Sequence, residues 1–183
     1  MWVVPSDQIY KDTLKALRDR NHFYRFSLEH AVSRRVDVWE KHEISRLTPA
    51  QLRGSLNVVV FKLASANRET KDQLKMFQDS GGNIVMHFPD EDDSPAHRAL
   101  KKKFPNMEML AEDEGKGEFL VKTSLANLIR LNEPPVILDE GHKAYSDLAR
   151  KTIEGFNAGI VVELSATPNP ESNILCRVSG RNC

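Results

Sequence analysis

Five short apolar runs alternate along the chain with segments in which apolar residues recur at helical spacing. The runs predict β-strands at residues 2–5, 35–39, 57–63, 135–139 and 160–165. The last three are continuous and rich in Val, Ile and Leu, as in central strands that are buried on both faces of a parallel sheet. Alternating strands and helices of this kind predict an α/β fold with a mostly parallel central sheet.

The segments between these runs carry recognisable helix signals. Thr48, Pro49 and Gln51 form a helix start, with a hydroxyl cap, a proline at the first helical position and a glutamine three residues after the cap. Helices are predicted at residues 6–20, from Thr48, at 69–79, at 94–103, at 124–131 and at 145–156. Gly81 and Gly82 are expected to end the third of these helices.

Two charged stretches interrupt the pattern. Residues 89–93 are acidic, and residues 112–117 combine acidic residues with two glycines. Both are expected to be solvated surface loops within an insertion around residues 87–120. The remaining pattern predicts one domain over residues 1–183.

Composition describes an ordinary globular protein. The chain has 183 residues, 40% of them hydrophobic and 28% charged, which suits about one domain with a core of normal size. The formal net charge is +0, which argues against a histone-like polybasic protein. It leaves open a local strip of contacts to nucleic-acid phosphates, which backbone N–H groups and hydroxyls can supply.

The cysteines and the lengths of the apolar runs indicate in which cellular compartment the protein is expected. Cys176 and Cys183 match no common zinc spacing, and two free thiols in a reducing cytoplasm are expected. The sequence shows neither a stretch of the ~18 apolar residues that a membrane span needs nor a signal peptide.

The strongest chemical signal is an apolar strand that ends in two adjacent carboxylates, Asp139 and Glu140, followed by Gly141 and His142. In open α/β sheets, ligands bind beyond the carboxyl ends of the strands. A carboxylate there can hold Mg²⁺, usually through water, and a second one can polarise a water for attack on a phosphoryl group. We expect Gly141 to permit the tight turn that follows the strand.

A second signal follows the last apolar run, where Ser165, Ala166 and Thr167 precede Pro168. The two hydroxyls are expected to hydrogen-bond to His142 or to the carboxylates, and so to relay the state of a bound nucleotide to a distant surface. Pro168 is expected to turn the chain away from the sheet.

Two simpler interpretations of the carboxylates remain open. Asp139 and Glu140 can be solvated residues of a strand-end turn, since strand ends commonly carry Asp. Alternatively, a metal hydrolase would use Asp139, Glu140 and His142 as ligands, although adjacent carboxylates at a strand exit point in different directions and chelate one ion poorly.

These motifs together resemble those of superfamily 2 helicases. Asp139-Glu140-Gly141-His142 resembles motif II, the Walker B box in its Asp-Glu-x-His form, and Ser165-Ala166-Thr167 resembles motif III. Trp2-Val3-Val4-Pro5 is similar to motif Ia, and residues 123–128 are similar to the Thr-x-x-x-x-Leu stretch of motif Ib. The resemblance implies the first RecA-like motor domain, a three-layer sandwich that is incomplete at its N-terminal end.

The segments between the motifs resemble one family more closely. Residues 10–17, 65–69, 138–142 and 155–157 are similar to stretches of the Res subunit of type III restriction enzymes, and the resemblance covers nearly the whole chain. It implies an ATP-dependent DNA helicase or translocase that works with a separate nuclease domain and a methylation subunit.

The resemblance also implies roles for individual residues. Asp139 would hold Mg²⁺ through water, and Glu140 would orient the water that attacks ATP, with His142 completing the nucleotide site. The residues that would couple hydrolysis to DNA are His142, Ser165, Ala166 and Thr167. Pro5 and Thr123 would lie near the DNA backbone.

The chain departs from the family at one essential element. It contains no Gly-x-x-x-x-Gly-Lys-Ser/Thr loop to cradle phosphates. In the family this loop precedes motif Ia and a second motor domain follows motif III, so the sequence is expected to be a segment of a longer motor that does not hydrolyse ATP by itself. The alternative is a degenerate motor domain that binds DNA or protein without hydrolysis.

Overall fold

Five of the strands form one parallel sheet in the computed structural model, which describes residues 1–33, 35–62, 81–113, 115–141, 147–167 and 173–176. These strands are β1 (Trp2–Val4), β2 (Val36–Glu40), β3 (Leu56–Lys62), β6 (Val136–Asp139) and β7 (Val161–Leu164). They lie in the order β2-β3-β1-β6-β7, and every pairing between them is parallel. The predicted α/β fold is confirmed.

Helices flank this sheet. They are α1 (Asp7–Arg18), α2 (Phe23–Val32), α3 (Pro49–Gly54), α4 (Ser94–Lys103), α5 (Leu125–Asn132) and α6 (Asp147–Glu154). Two 3-10 helices cover Lys41–Arg46 and Gly82–His87. The capping box at Thr48 and Gln51 is formed as predicted. The helix expected at residues 69–79 lies outside the described residues.

The core has one part on each face of the sheet, because successive side chains of a strand point to opposite faces. Val3 belongs to the part beneath α5 and α6, while Trp2 and Val4 belong to the part beneath α1 and α2. The fully buried residues of these two parts include Val4, Leu17, Val60, Val121 and Val136.

Helix α2 was not predicted, and a buried arginine anchors it. Arg25 is 7% exposed, and its guanidinium donates to the carbonyl of Leu17 at 3.2 Å and to that of Val36 at 2.6 Å. Its Nε donates to Glu29 at 2.7 Å. The side chain therefore joins the end of α1 and the start of β2, and every hydrogen bond that it makes compensates for its burial.

The segment around residues 87–120 folds into defined elements, which corrects one of the two loop expectations. Residues 89–93 form an exposed loop as expected. Residues 112–117 do not, because Met109–Asp113 (β4) pairs antiparallel with Glu118–Val121 (β5), and of this stretch only residues 115–117 are described as a turn. The segment also supplies buried apolar side chains to the core beneath α5, namely Phe88, Phe104, Met107 and Val121.

Candidate functional site

The carboxylates of the first motif lie at the carboxyl edge of the sheet. Strand β6 runs between β1 and β7, with Val136 fully buried and Leu138 8% exposed, and it ends at half-buried Asp139. Asp139 pairs in register with Leu164 of β7. No described residue hydrogen-bonds to its carboxylate or forms an ion pair with it, so its oxygens can accept an outside ligand.

Glu140 makes the turn after the strand. Its φ is 52°, in the left-handed region that an L-residue with a side chain adopts at a cost of about 1–2 kcal/mol. The turn that the sequence suggested for Gly141 is therefore made one residue earlier. This backbone conformation fixes the direction in which the half-buried Glu140 side chain leaves the strand.

Gly141 is needed for a different reason from the one expected. Its φ is not left-handed, but a Cβ at this position would lie 2.7 Å from the Cδ of Glu163. Glu163 is on β7, in register with Leu138. A glycine here lets the chain leaving β6 pass directly against a side chain of the neighbouring strand.

The hydroxyl residues of the second motif lie beside the carboxylates. Ser165 follows Leu164, the register partner of Asp139, and adjacent strands lie about 4.8 Å apart. Ser165 therefore lies at the same edge of the sheet as Asp139. Its Oγ accepts the backbone N–H of Thr167 at 3.1 Å, which folds the exposed pair Ala166 and Thr167 back on the strand end.

His142 and Pro168 lie outside the described residues. The predicted contact between His142 and the hydroxyls stays a prediction, as does the turn at Pro168. The described part of the candidate site consists of Asp139, Glu140 and Ser165 to Thr167.

The two residues expected near DNA are also at this edge. Pro5 follows β1 and precedes Ser6, whose Oγ caps α1 by accepting the N–H of Ile9 at 3.3 Å. Thr123 precedes Ser124, the N-cap of α5. Because α5 leads into β6, its start lies at the carboxyl edge, on the opposite face of the sheet from α1.

A charged network at the same edge was missed in the sequence. The hydroxyl of Tyr10 donates to Glu40 at 3.0 Å, and Arg18 pairs with Glu40 at 3.0 Å and with Glu43 at 2.7 Å. Burial, and then the adjacent Glu40, raise the pKa of Tyr10 well above its usual range. The signal in the sequence was weak, because the network joins residues from α1 and from the end of β2.

Part of this network has the spacing of a metal site. Glu40, His42 and Glu43 offer ligand atoms within 4.8 Å of one another. However, Arg18 already pairs with both carboxylates, and the backbone N–H of Glu40 donates to Glu43 at 2.8 Å. The cluster is therefore explained by an ion pair and a helix start.

Lys62, at the end of β3, continues the charged row. Its ammonium lies 2.6 Å from the carboxylate of Asp7, at the start of α1, and this contact holds the pKa of Asp7 below its usual value. The kind of side chain at the carboxyl edge therefore differs between the two halves of the sheet. Ion pairs occupy the ends of β2, β3 and β1, and the carboxylate of Asp139 and the hydroxyl turn occupy the ends of β6 and β7.

No protein-family model matches the chain, and no curated protein matches it significantly. None of the helices in the described ranges is both long and apolar enough to cross a bilayer. Cys176 is an exposed free thiol, and Cys183 lies beyond the described residues.

Proposed function

We propose that this chain is part of the first RecA-like motor domain of an ATP-dependent DNA translocase, of the type III restriction class. The observation that supports the proposal is the order of three neighbouring strands. The segments that resemble motifs Ia, II and III end β1, β6 and β7, and these strands are adjacent in one parallel sheet. Pro5, Asp139 and Ser165, which end or directly follow these strands, therefore share one edge of the sheet.

The carboxylates suit the proposed nucleotide chemistry. Mg²⁺ prefers oxygen ligands and retains several waters, and Asp139 offers a half-buried carboxylate without a described protein partner. In this proposal Asp139 holds Mg²⁺ through water, and Glu140 orients the attacking water. Bound ATP with Mg²⁺ supplies the phosphoryl group and the charge that stabilises its transfer.

The remaining residues of the edge couple this chemistry to DNA. Ser165, Ala166 and Thr167 follow the strand next to the carboxylates, so a change at Glu140 reaches them through adjacent backbone. In this proposal they act with His142. Pro5 and Thr123 lie near one DNA strand, and a methylation subunit provides the sequence recognition.

The proposal also accounts for what the chain lacks. The absence of a phosphate-binding loop from the 183 residues means that ATP is bound weakly and hydrolysis is negligible in this chain alone. At the edge of the sheet, Val161 and Leu164 of β7 are 46% and 43% exposed. Such exposure suits a sheet to which further chain is added.

The test compares this chain with the whole reading frame that encodes it. We expect DNA-stimulated, Mg²⁺-dependent ATP hydrolysis by the product of the whole frame and none by the chain alone. Glu140→Gln should abolish hydrolysis in the longer protein. Glu133→Gln is the matched control, because Glu133 is also a left-handed glutamate (φ 41°) at the end of an element.

Two results would contradict the proposal. One is full hydrolysis in the Glu140→Gln protein. The other is a frame that encodes only these residues, together with salt-sensitive DNA binding by the chain and no ATP dependence. The second result would favour the degenerate binding module.

A further inference from the structure

Helix α2 is apolar on both of its faces. Its inner face packs Leu28 and Val32 on the core, while Phe23 is 73% exposed and Phe26 is 61% exposed on the outside. Surface helices normally carry polar residues on the outer face. The outer face of α2 is therefore expected to be covered in the functional state.

The outer face is formed by residues at helical spacing. Phe23, Phe26 and His30 follow one another at intervals of three and four, which is the pattern of a helix–helix seam. The rings of Phe26 and His30 are already stacked, with centroids 6.1 Å apart and planes at 28°. Ser27 and Ala31 complete the same face.

The outer face carries no lysine, arginine, aspartate or glutamate. All residues of α2 are described, and its two charged residues are Arg25 and Glu29. They form an ion pair with each other at 2.7 Å, and both side chains lie away from the outer face. By contrast, α1 exposes Lys11, Asp12 and Lys15. A surface without lysine or arginine lacks the positive side chains that a binding groove for single-stranded nucleic acid provides in addition to aromatic rings.

We propose that the outer face of α2 is a self-association surface, on which α2 of a second copy of this chain packs antiparallel about a two-fold axis. In such a contact each surface meets itself, so any net charge would repel its own copy. The absence of charge removes this repulsion. Phe26 then lies near the axis, and Phe23 of one copy faces His30 of the other.

The size of the surface sets the strength of the association. An aromatic side chain buries about 150–250 Å² when fully covered, so two partly exposed phenylalanines with their small neighbours give a contact on the order of 800 Å² in total. Stable complexes bury about 1,200–2,000 Å². The dimer is therefore weak, and its population depends on protein concentration.

The experiment is sedimentation velocity over micromolar to millimolar concentrations of the complete chain. We expect a reversible monomer–dimer equilibrium that Phe23→Ser with Phe26→Ser shifts to monomer. Two controls should leave the equilibrium unchanged. They are Leu110→Ser, at a leucine 67% exposed on β4, and Leu164→Lys, which places a charge on the edge strand β7.

A cross-link checks the geometry independently of any loss of stability. With Cys176→Ser and Cys183→Ser as background, Ser27→Cys lies near the axis and should form a disulfide-linked dimer under mild oxidation. Lys15→Cys, on the exposed surface of α1, should not.

Three results would overturn the proposal. A wild-type chain that stays monomeric at every concentration is the first. A dimer abolished by Leu164→Lys but retained by the α2 variant is the second, and it would assign the contact to the sheet edge. The third is a monomeric chain that binds single-stranded DNA through Phe23 and Phe26, which would assign the surface to nucleic acid.

Discussion

The side chain of Glu163 lies directly against the backbone of Gly141, with its Cδ 2.7 Å from the place that a Cβ would occupy. This contact joins the end of β6 to β7 at the carboxyl edge, next to Asp139 and Ser165. The position tolerates no side chain unless Glu163 or the backbone moves.

Gly141→Ala is therefore expected to lower the free energy of unfolding by about 1–3 kcal/mol, the usual range for overpacking. Urea denaturation followed by fluorescence measures the change. Gly54→Ala is the matched control, because nothing lies within 4 Å of a Cβ there, and it should be neutral or slightly stabilising. Addition of Glu163→Ala to the Gly141→Ala protein should recover part of the lost free energy of unfolding. Equal losses in the Gly141→Ala and Gly54→Ala proteins would refute the steric explanation.

Asn127→Ala should destabilise the protein by about 2–3 kcal/mol, since it leaves several buried polar groups without partners. The Asn127 side chain is fully buried, donates to the carbonyls of Glu108 and Lys122 at 2.9 and 2.8 Å, and accepts the N–H of Glu108 at 3.1 Å. Thermal and urea denaturation measure the loss. Asn132→Ala, at an exposed asparagine of the same helix, should change stability by less than about 0.5 kcal/mol.

His97→Ala should loosen the β4–β5 hairpin before it unfolds the rest of the chain. The His97 ring is fully buried, and its Nδ1 accepts the N–H of Val121 at 3.2 Å. The proton is therefore on Nε2, which donates to the carbonyl of Asp90 at 3.1 Å. Hydrogen exchange should show faster exchange at Val121 in the variant.

His42→Ala, at an exposed histidine, serves as the control for the hairpin experiment and should leave exchange at Val121 unchanged. A uniform change in protection over the whole sheet in the His97→Ala protein would contradict local loosening and indicate a global loss of stability instead.

The stability of the chain that starts at Met1 should rise as the pH increases from about 6 to 8. The terminal amine donates to the carbonyl of Pro135 at 2.6 Å, and burial lowers its pKa from 8.0 to about 6. In this window the unfolded chain binds more protons than the folded chain, so raising the pH favours folding. Urea denaturation at several pH values measures the slope.

Acetylation of the amine provides the comparison for the pH series, because it removes the titrating group and leaves the histidines in place. The acetylated chain should show a shallower dependence between pH 6 and 8. Identical slopes for the two forms would assign the dependence to other groups.

Strands β3 and β6 were predictable because their apolar runs are continuous, as burial on both faces requires. The run of β7 was also expected to be central and buried, but β7 lies at the edge of the sheet and exposes Val161 and Leu164. The predicted strand at residues 135–139 differs from the observed Val136–Asp139 by one residue. The order β2-β3-β1-β6-β7 was not predictable, since similar runs of Val and Ile are compatible with many orders. This strand order determines which motifs become neighbours in the sheet.

The missed elements lack the periodic signal that the others carry. The outer face of α2 carries Phe23 and Phe26, so no strongly polar side marks the helix. Strand β4 contains Glu112 and Asp113, and it belongs to a two-stranded sheet with exposed positions, where charged residues are tolerated. A strand of this kind resembles a loop in sequence.

The position of the candidate site was more predictable than its backbone geometry. The sequence correctly placed Asp139 at a strand end, but it assigned the turn to Gly141 rather than to Glu140, because glutamate rarely adopts a left-handed conformation. The need for Gly141 arises from Glu163 on another strand, and only the β6–β7 register reveals it.

The central position of β1 has a consequence for synthesis. Strand β1 is translated before both of its partners, and it pairs with β3 through Trp2 and Val60 and with β6 through Trp2 and Ile137. At about 5–20 residues per second, the sheet stays open for several seconds until β6 is translated. During that time the nascent chain displays Trp2 and its neighbours unpaired, which makes it a natural client for chaperones that hold extended apolar segments.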